Sequence, residues 1–160
     1  MKTLVHTDLN QIESVIKKCS ICFVGMVDTD GTPYVIPMNF GYLNGSLYLH
    51  SAHEGRSISI LNKNSKVCIS FCPSTELVFQ NEEVACSYRM RSSSVICWGN
   101  VVFEEEYDKK VEALHILMKQ YTDRTFRFSK PSVDNVKIWR VDIDDISCKE
   151  YGAPHKAFSI

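Results

Sequence analysis

Apolar and polar residues alternate along several short runs of the chain, a pattern typical of half-buried β-strands. These runs are residues 21–27, 33–42, 47–51, 66–72, 84–91, 94–103 and 136–146. Tight-turn sequences, Asp-Thr-Asp-Gly at 28–31 and Leu-Asn-Gly-Ser at 43–46, separate the first three runs and predict antiparallel hairpins. Because helices do not alternate with every strand, we predict a mainly β fold, a six- to seven-stranded antiparallel β-barrel with flanking helices.

Three segments are predicted to be helical. Residues 7–10, Thr-Asp-Leu-Asn, can cap a short helix that ends near Lys18, and a further short helix is predicted from Arg56 through Leu61. A third helix, over 104–121, begins with three glutamates, whose charges suit the positive end of a helix. We interpret this acidic run as a helix start in preference to a metal site. The remaining segments are predicted as a loop and a polar tail, residues 73–83 and 147–160.

The second predicted strand contains a proline, Pro37. A proline has no backbone N–H to donate to a neighbouring strand, so it is disfavoured in the middle of a regular sheet. The strand must therefore lie at an edge, contain a bulge at Pro37, or leave its backbone available for a ligand.

Composition supports one globular domain over residues 1–160. Hydrophobic residues make up 44% of the 160 residues and the formal net charge is −1, which excludes a disordered chain and disfavours a nucleic-acid-binding surface. The longest apolar run falls well short of the ~20 residues that span a membrane, and the N-terminal segment is too polar for a signal peptide. We therefore expect a soluble cytoplasmic protein without nucleic-acid or membrane partners.

The sequence contains seven cysteines. Their odd number and their positions among β-branched and aromatic residues are typical of small buried side chains in a reducing compartment. Cys19 and Cys22 form a C-x-x-C sequence, but neither a second such pair nor a histidine pair accompanies it, so no metal site is predicted. A structural role is favoured, and a redox or metal role for Cys19 and Cys22 is the alternative.

One segment has the residue types of a phosphate-binding site. Ser51 ends a predicted strand, and Gly55 and Arg56 begin the helix that follows. The free N–H groups at a helix start, a hydroxyl and a guanidinium can together bind a phosphate, and glycine permits close approach of the anion. The alternative is a plain strand-to-helix turn with a surface arginine.

A second candidate phosphate-binding set lies farther along the chain. Arg89 and Arg91 are two positions apart, which places them on one face of a strand, and Ser92, Ser93 and Ser94 follow directly. Considered alone, these residues fit a solvated strand face with a turn better than they fit a binding site.

These segments together resemble the signatures of the pyridoxamine 5′-phosphate oxidase-like flavoproteins. Residues 30–40, DGTPYVIPMNF, are similar to the family pattern D-G-x-P-Y-V-x-P-x-x-F, and residues 47–56, LYLHSAHEGR, to L-Y-x-H-x-A-x-x-G-[RK]. Residues 62–68 match the N-x-x-V-x-F region in part, and Ser94 and Val95 match the S-V of a later strand, with extra residues after its tyrosine. Within the family, the chain looks most like the nitroimidazole-resistance branch.

The resemblance implies an FMN-binding split β-barrel that forms a homodimer, with FMN at the interface. It implies that the backbone of Pro37, Met38 and Asn39 lines the isoalloxazine ring, and that Met38 and Asn39 donate hydrogen bonds to the ring edge. The other cofactor-binding residues that it implies are His50, Ser51, Ala52, Gly55, Arg56, Ser93, Ser94, Val95 and Lys156.

The activity that the resemblance implies is FMN-dependent reduction of small aromatic or nitro compounds similar to nitroimidazoles. His50 is the candidate catalytic residue, as a proton donor, because an unperturbed imidazole titrates near neutral pH. A structural role beside the cofactor is the alternative for His50. A related protein that binds flavin, deazaflavin or haem without reductase activity, and a structural dimer without cofactor, are the alternatives for the chain. Trp98 and Trp139 are interpreted as core residues, with ring stacking or an interface as the alternative.

Overall fold

The structure is a computed structural model that describes residues 2–153, in which antiparallel strands predominate. The strands are β1 (Lys2–His6), β2 (Cys22–Val27), β3 (Pro33–Met38), β4 (Gly41–Leu43), β5 (Ser46–Ser51), β6 (Lys66–Phe71), β7 (Glu76–Val78), β8 (Arg89–Glu104) and β9 (Lys137–Ala153). The helices are α1 (Leu9–Lys17), α2 (Arg56–Leu61), α3 (Tyr107–Lys119) and α4 (Lys130–Asp134). The predicted class, a mainly β antiparallel split barrel with flanking helices, is confirmed.

The sheet follows the order β3-β2-β6-β8-β9-β5-β4, while β1 pairs with β9 and β7 pairs with β8. β3 and β4 lie at opposite ends of this order, yet only Asn39 and Phe40 separate them in the chain. Two residues bridge at most about 10 Å between flanking Cα atoms. The sheet therefore curves until its two ends meet at this connection, which we call the 39–40 link. The chain itself, and not a strand ladder, closes the barrel there.

The side chains that face into the barrel form the core. Trp139 is fully buried, which confirms its predicted core role. Phe40 is also fully buried, and its ring packs edge-on against Phe71 with the ring centres 4.9 Å apart. The second residue of the 39–40 link is therefore anchored in the core, which places its neighbour Asn39 at the barrel surface.

The strand prediction is wrong over residues 84–103. The pattern predicts two strands with a break at the serines, but β8 runs without interruption. The ladder with β9 extends along β8 from Ser92 to Glu104, so backbone pairing maintains the strand through serines of weak strand preference. The residues before β8 form a single 3-10 turn, Ala85–Ser87, where a strand is predicted.

Segments at the borders of the barrel also differ from the prediction. Residues 147–153 are predicted as part of a polar tail but extend β9, because they pair with β1 on one side and β8 on the other. The short strands β1 and β7 and the short helix α4 were not predicted, so nine strands replace the expected six or seven. The third helix begins at Tyr107 and not at 104, since Glu104 ends β8 and forms an ion pair with Arg140 at 3.2 Å.

Proline and helix capping follow the sequence rules. Pro37 lies in β3, which is an edge strand, as its missing N–H requires. Asp8 caps α1, and its carboxylate accepts a hydrogen bond from the backbone N–H of Gln11 at 2.9 Å. Within residues 2–153, no helix is long and apolar enough to cross a membrane.

The seven cysteines are all free thiols. Cys19, Cys22, Cys97 and Cys148 are buried. Burial raises the pKa of Cys22 and of Cys97 to about 12, so both remain protonated thiols at neutral pH. This agrees with the structural role predicted for Cys22, because an inert buried thiol is a poor nucleophile and a poor metal ligand.

Candidate functional site

The predicted phosphate-binding turn connects β5 to α2. Gly55 caps α2 with φ at 133°, a conformation that favours glycine, and a Cβ there would meet no atom within 4 Å. The hydroxyl of Ser51 donates to the carbonyl of Ala52 at 2.7 Å and accepts from the indole N–H of Trp139 at 3.0 Å. The turn is therefore open to a ligand at Gly55, whereas Ser51 would have to exchange its Ala52 acceptor for the ligand.

Arg56 is fixed against β3 by an aromatic ring. Its guanidinium lies over the ring of Tyr34, with the central carbon 4.8 Å from the ring centre. Stacking uses the face of the guanidinium and leaves its N–H edges directed sideways, where they can bind an anion. The pKa of Asp30 in the preceding turn is lowered chiefly by hydrogen bonds from Thr32 and to a smaller extent by Arg56.

Asn39 and His50 both line a small cavity of about 210 Å³. The rest of its wall comes from α3 and from the segment that follows α3, namely Leu114, Leu117, Met118, Tyr121 and Phe128. The wall is therefore mainly apolar and aromatic, with an amide, an imidazole and a phenol as its polar groups. Such a wall suits a planar ring that carries a few hydrogen-bonding atoms.

The surroundings of His50 disfavour its charged form. Its surface is partly accessible to solvent, but neighbouring protein atoms desolvate the imidazole and lower its pKa from 6.5. At neutral pH the ring is therefore neutral and offers one N–H group and one acceptor nitrogen. This protonation state suits a hydrogen-bonding group better than a resting imidazolium acid.

The lowered pKa of His50 predicts an acid-sensitive stability. Below about pH 6.5 the unfolded chain binds a proton at His50 more readily than the folded chain does, so this group lowers the free energy of unfolding as the pH falls. We expect wild type to lose more stability than His50→Gln between pH 7.5 and pH 5. Urea unfolding at both pH values measures this, and an equal loss in the two proteins would contradict it.

The serines predicted to bind phosphate lie in a different part of the chain's surface. Ser93 contributes to a polar cavity of about 510 Å³ whose wall also includes Arg91 and Glu150. The guanidinium of Arg91 is paired with Glu76 at 3.1 Å. This cavity and the one that contains His50 share no lining residue, so a single chain does not bring Ser93 and His50 to one site.

Three further predicted cofactor-binding residues are held by the sheet, namely Ser94 and Val95 in β8 and Met38 in β3. Ser94 is paired with Lys149 of β9, and Val95 is fully buried between β6 and β9, so the side chain of Val95 is not accessible to a ligand. Met38 is half-buried, and its carbonyl accepts the thiol of Cys22 at 3.6 Å. The role of these residues in cofactor binding stays a prediction.

One side of the sheet exposes several large apolar side chains to solvent, and we call it the uncovered face. Two cross-strand rows run along it over β3, β2, β6 and β8. Their members are Pro37, Phe23, Ser70 and Ile96 in one row, and Val35, Gly25, Cys68 and Trp98 in the other. Val35 is 60% exposed, Phe23 43% and Trp98 40%. Trp98 is therefore not a core residue, which corrects that prediction and leaves its alternatives, ring stacking or an interface.

One predicted cofactor-binding residue, Lys156, lies outside the residues that the structure describes. Residues 2–153 contain no group of three or more histidine, cysteine or acidic side chains placed to bind a metal ion. Tyr121 and Phe128 line the small cavity but were not predicted as site residues, since no local motif marks a side chain that reaches a strand some 80 residues away.

Comparison with known proteins gives the family. The pyridoxamine 5′-phosphate oxidase family profile matches residues 8–150. A proposed 5-nitroimidazole antibiotic resistance protein from Bacteroides thetaiotaomicron is 48% identical, with a TM-score of 0.85 over 93% of this chain and 87% of that chain. No curated protein matches the sequence.

More distant structures share the fold alone. The flavocytochrome Anf3 from Azotobacter vinelandii is 19% identical, with a TM-score of 0.79 over 94% of this chain and 71% of that chain. An FAD and heme binding protein from Mycobacterium smegmatis is 18% identical, with a TM-score of 0.80 over 98% and 77%. The profile match and the 48% identical structure together establish that this chain belongs to the pyridoxamine 5′-phosphate oxidase family.

Proposed function

We propose that the protein is an FMN-dependent oxidoreductase that reduces small aromatic or nitro compounds, acts in the cytoplasm and forms a homodimer with FMN at the interface. The observation that carries the proposal is the short connection between the uncovered face and the small cavity: Pro37 lies in the face at the sheet edge, and Asn39, two residues later, lines the cavity. The similarity to the Bacteroides protein supports nitro compounds as substrates.

The size of the small cavity supports a site completed by a second chain. Its volume of about 210 Å³ is below the ~300–1,000 Å³ typical of pockets for small ligands. A second copy packed on the uncovered face would supply the missing wall for a tricyclic ring. The same packing would withdraw Val35, Phe23 and Trp98 from water, which favours association through the hydrophobic effect.

A dimer also explains the separation of the two phosphate-binding sets. Gly55 and Arg56 provide an open turn and a guanidinium on one chain, while Ser93 and Ser94 lie on β8 in another part of the surface. In a two-fold dimer, the serines of one copy can face the turn of the other copy. A phosphate between them would take hydrogen bonds from both chains.

The residues of the small cavity have separate roles in this proposal. A bound flavin would supply hydride from N5 for the reduction. Asn39 orients the ring edge through its backbone, the apolar side chains of α3 exclude water, and His50 holds a substrate oxygen through its single N–H. Proton transfer through His50 would require the ring to take a proton from solvent at its acceptor nitrogen before its N–H proton passes to the oxygen, and the exposed position of His50 allows this.

A spectrum of the purified protein tests the proposal first. Bound flavin gives a yellow protein, and mixing with NADH or NADPH and a nitroimidazole should bleach and then restore that colour. A Soret band would instead indicate the haem-binding alternative. A colourless protein that gains no thermal stability from added FMN would contradict the proposal, because a ligand that binds the native state must raise its stability.

Arg56→Ala is expected to weaken FMN binding. The arginine is solvent-exposed, so its loss should cost about 1.5 kcal/mol, the low end for a charge-assisted hydrogen bond and roughly a tenfold rise in Kd. Titration of the unloaded protein with FMN measures this change. Lys63→Ala, an exposed lysine just beyond α2, is the matched control and should bind as wild type does. Equal Kd values for the two variants would show that the phosphate binds elsewhere.

A further inference from the structure

The hydroxyl of Tyr121, just beyond the end of α3, joins three segments of the chain. Its oxygen accepts hydrogen bonds from the backbone N–H of Phe40 at 3.0 Å and from the side-chain amide of Asn39 at 3.4 Å. Its proton is donated to the carbonyl of Ser20 at 2.9 Å. A phenol has one proton and two acceptor positions, so these three bonds use its full capacity.

The residue before it, Gln120, shares only part of this arrangement. The side-chain amide of Gln120 donates to the carbonyls of Lys17 at 3.3 Å and Cys19 at 3.1 Å, which lie at the end of α1 and just after it. These bonds satisfy carbonyl groups that a helix end leaves without partners. Gln120 and Tyr121 therefore both secure the connection between α1 and β2, but Tyr121 also reaches the 39–40 link.

The 39–40 link has a special need for such a support. β3 and β4 are the two edges of the sheet, so the link between them lies outside the strand ladders that hold the rest of the barrel. Phe40 is anchored by its buried ring, whereas Asn39 is exposed. The hydrogen bonds to the Tyr121 hydroxyl thus fix the position of the Phe40 N–H group and the orientation of the Asn39 side chain at the wall of the small cavity.

We propose that Tyr121 is a positioning residue for the flavin: its hydroxyl holds the 39–40 link in the geometry that the isoalloxazine ring edge requires. The proposal rests on the proposed function, because it assigns the 39–40 link to the ring. Tyr121 itself lines the same cavity, so the helix that covers the ring and the link that contacts it move together.

Tyr121→Phe tests this proposal, with Gln120→Ala as the matched control. The phenylalanine keeps the ring in the cavity wall and removes only the hydroxyl. The test compares three quantities: amide hydrogen exchange at Phe40 without FMN, the Kd for FMN, and the absorption spectrum of FMN bound to the saturated protein. For Tyr121→Phe we expect faster exchange at Phe40 by about tenfold, a Kd about five- to tenfold higher, and a shifted flavin spectrum, as the loss of one or two hydrogen bonds predicts.

Gln120→Ala should lower the melting temperature but leave the Phe40 exchange rate, the Kd and the spectrum within about twofold of wild type. The proposal would be overturned if Tyr121→Phe bound FMN with the wild-type constant and spectrum, or if both variants changed all three readouts equally. Failure of wild type to bind FMN would overturn the proposed function instead. In that case the exchange rate at Phe40 still reports whether the hydroxyl holds the link.

Discussion

Val35→Glu is expected to convert the protein into a monomer that no longer retains FMN. Val35 projects from the edge strand β3 into the uncovered face and is 60% exposed in a single chain, so a glutamate there leaves the monomer fold intact. In the proposed dimer the same side chain would be enclosed, and an unpaired buried carboxylate costs several kcal/mol. We expect the dimer dissociation constant to rise by about a thousandfold and FMN to be lost in gel filtration.

Val5→Glu provides the control for this experiment. Val5 is also a strand valine and is 66% exposed, but it lies on β1, which pairs with β9, outside the two cross-strand rows that define the uncovered face. Its glutamate variant should remain a dimer with bound FMN. A Val35→Glu protein that sediments as a dimer and stays yellow would show that the copies associate through another surface.

Gly41→Ala is expected to destabilise the protein by about 3 kcal/mol, the upper end for steric overpacking. A Cβ on Gly41 would lie 2.7 Å from backbone atoms of Ile116 and Leu117, in the middle of α3. Backbone atoms of a helix cannot move aside as a flexible side chain can. The helix must therefore shift away from β4, and the cavity wall that it forms must shift with it. Urea unfolding measures the loss, and FMN titration measures the effect on the cavity.

Gly31→Ala separates this steric effect from backbone strain. Gly31 has φ of 84°, so alanine is strained there, but nothing lies within 4 Å of its Cβ position. We expect a loss of about 1 kcal/mol without a change in FMN affinity. Should Gly41→Ala be no less stable than Gly31→Ala, the close contact between α3 and β4 would not be maintained in solution.

Several features of the site were predictable because they depend on neighbours in sequence. The Asn44-Gly45 turn, with both residues at positive φ, is determined locally, as is the strand-to-helix turn at Gly55. The edge position of Pro37 is one of the three alternatives that its missing N–H group left open. The family signature over residues 30–56 depends on the same local sequence, and the matching family profile confirms that resemblance.

The predictions failed where partners distant in sequence decide the structure. Serines at 92–94 have weak strand preference, yet β8 continues through them because β9 pairs with each one. β7 is a strand because it pairs with β8. Trp98 has a large aromatic side chain of the kind that usually lies in a core, but its pairing with Cys68 places it on the uncovered face.

The sequence by itself determined the β class, the hairpins, the strand-to-helix turn at Gly55 and the family of this protein, since each arises from residues within a few positions of one another. Only the tertiary structure decided how the sheet ends meet at the 39–40 link, which side chain holds that link, and that Ser93 and His50 lie apart in one chain. The physical reason is that strand register and chain closure join residues up to about 150 positions apart, and no local pattern encodes which of many possible pairings has the lowest free energy.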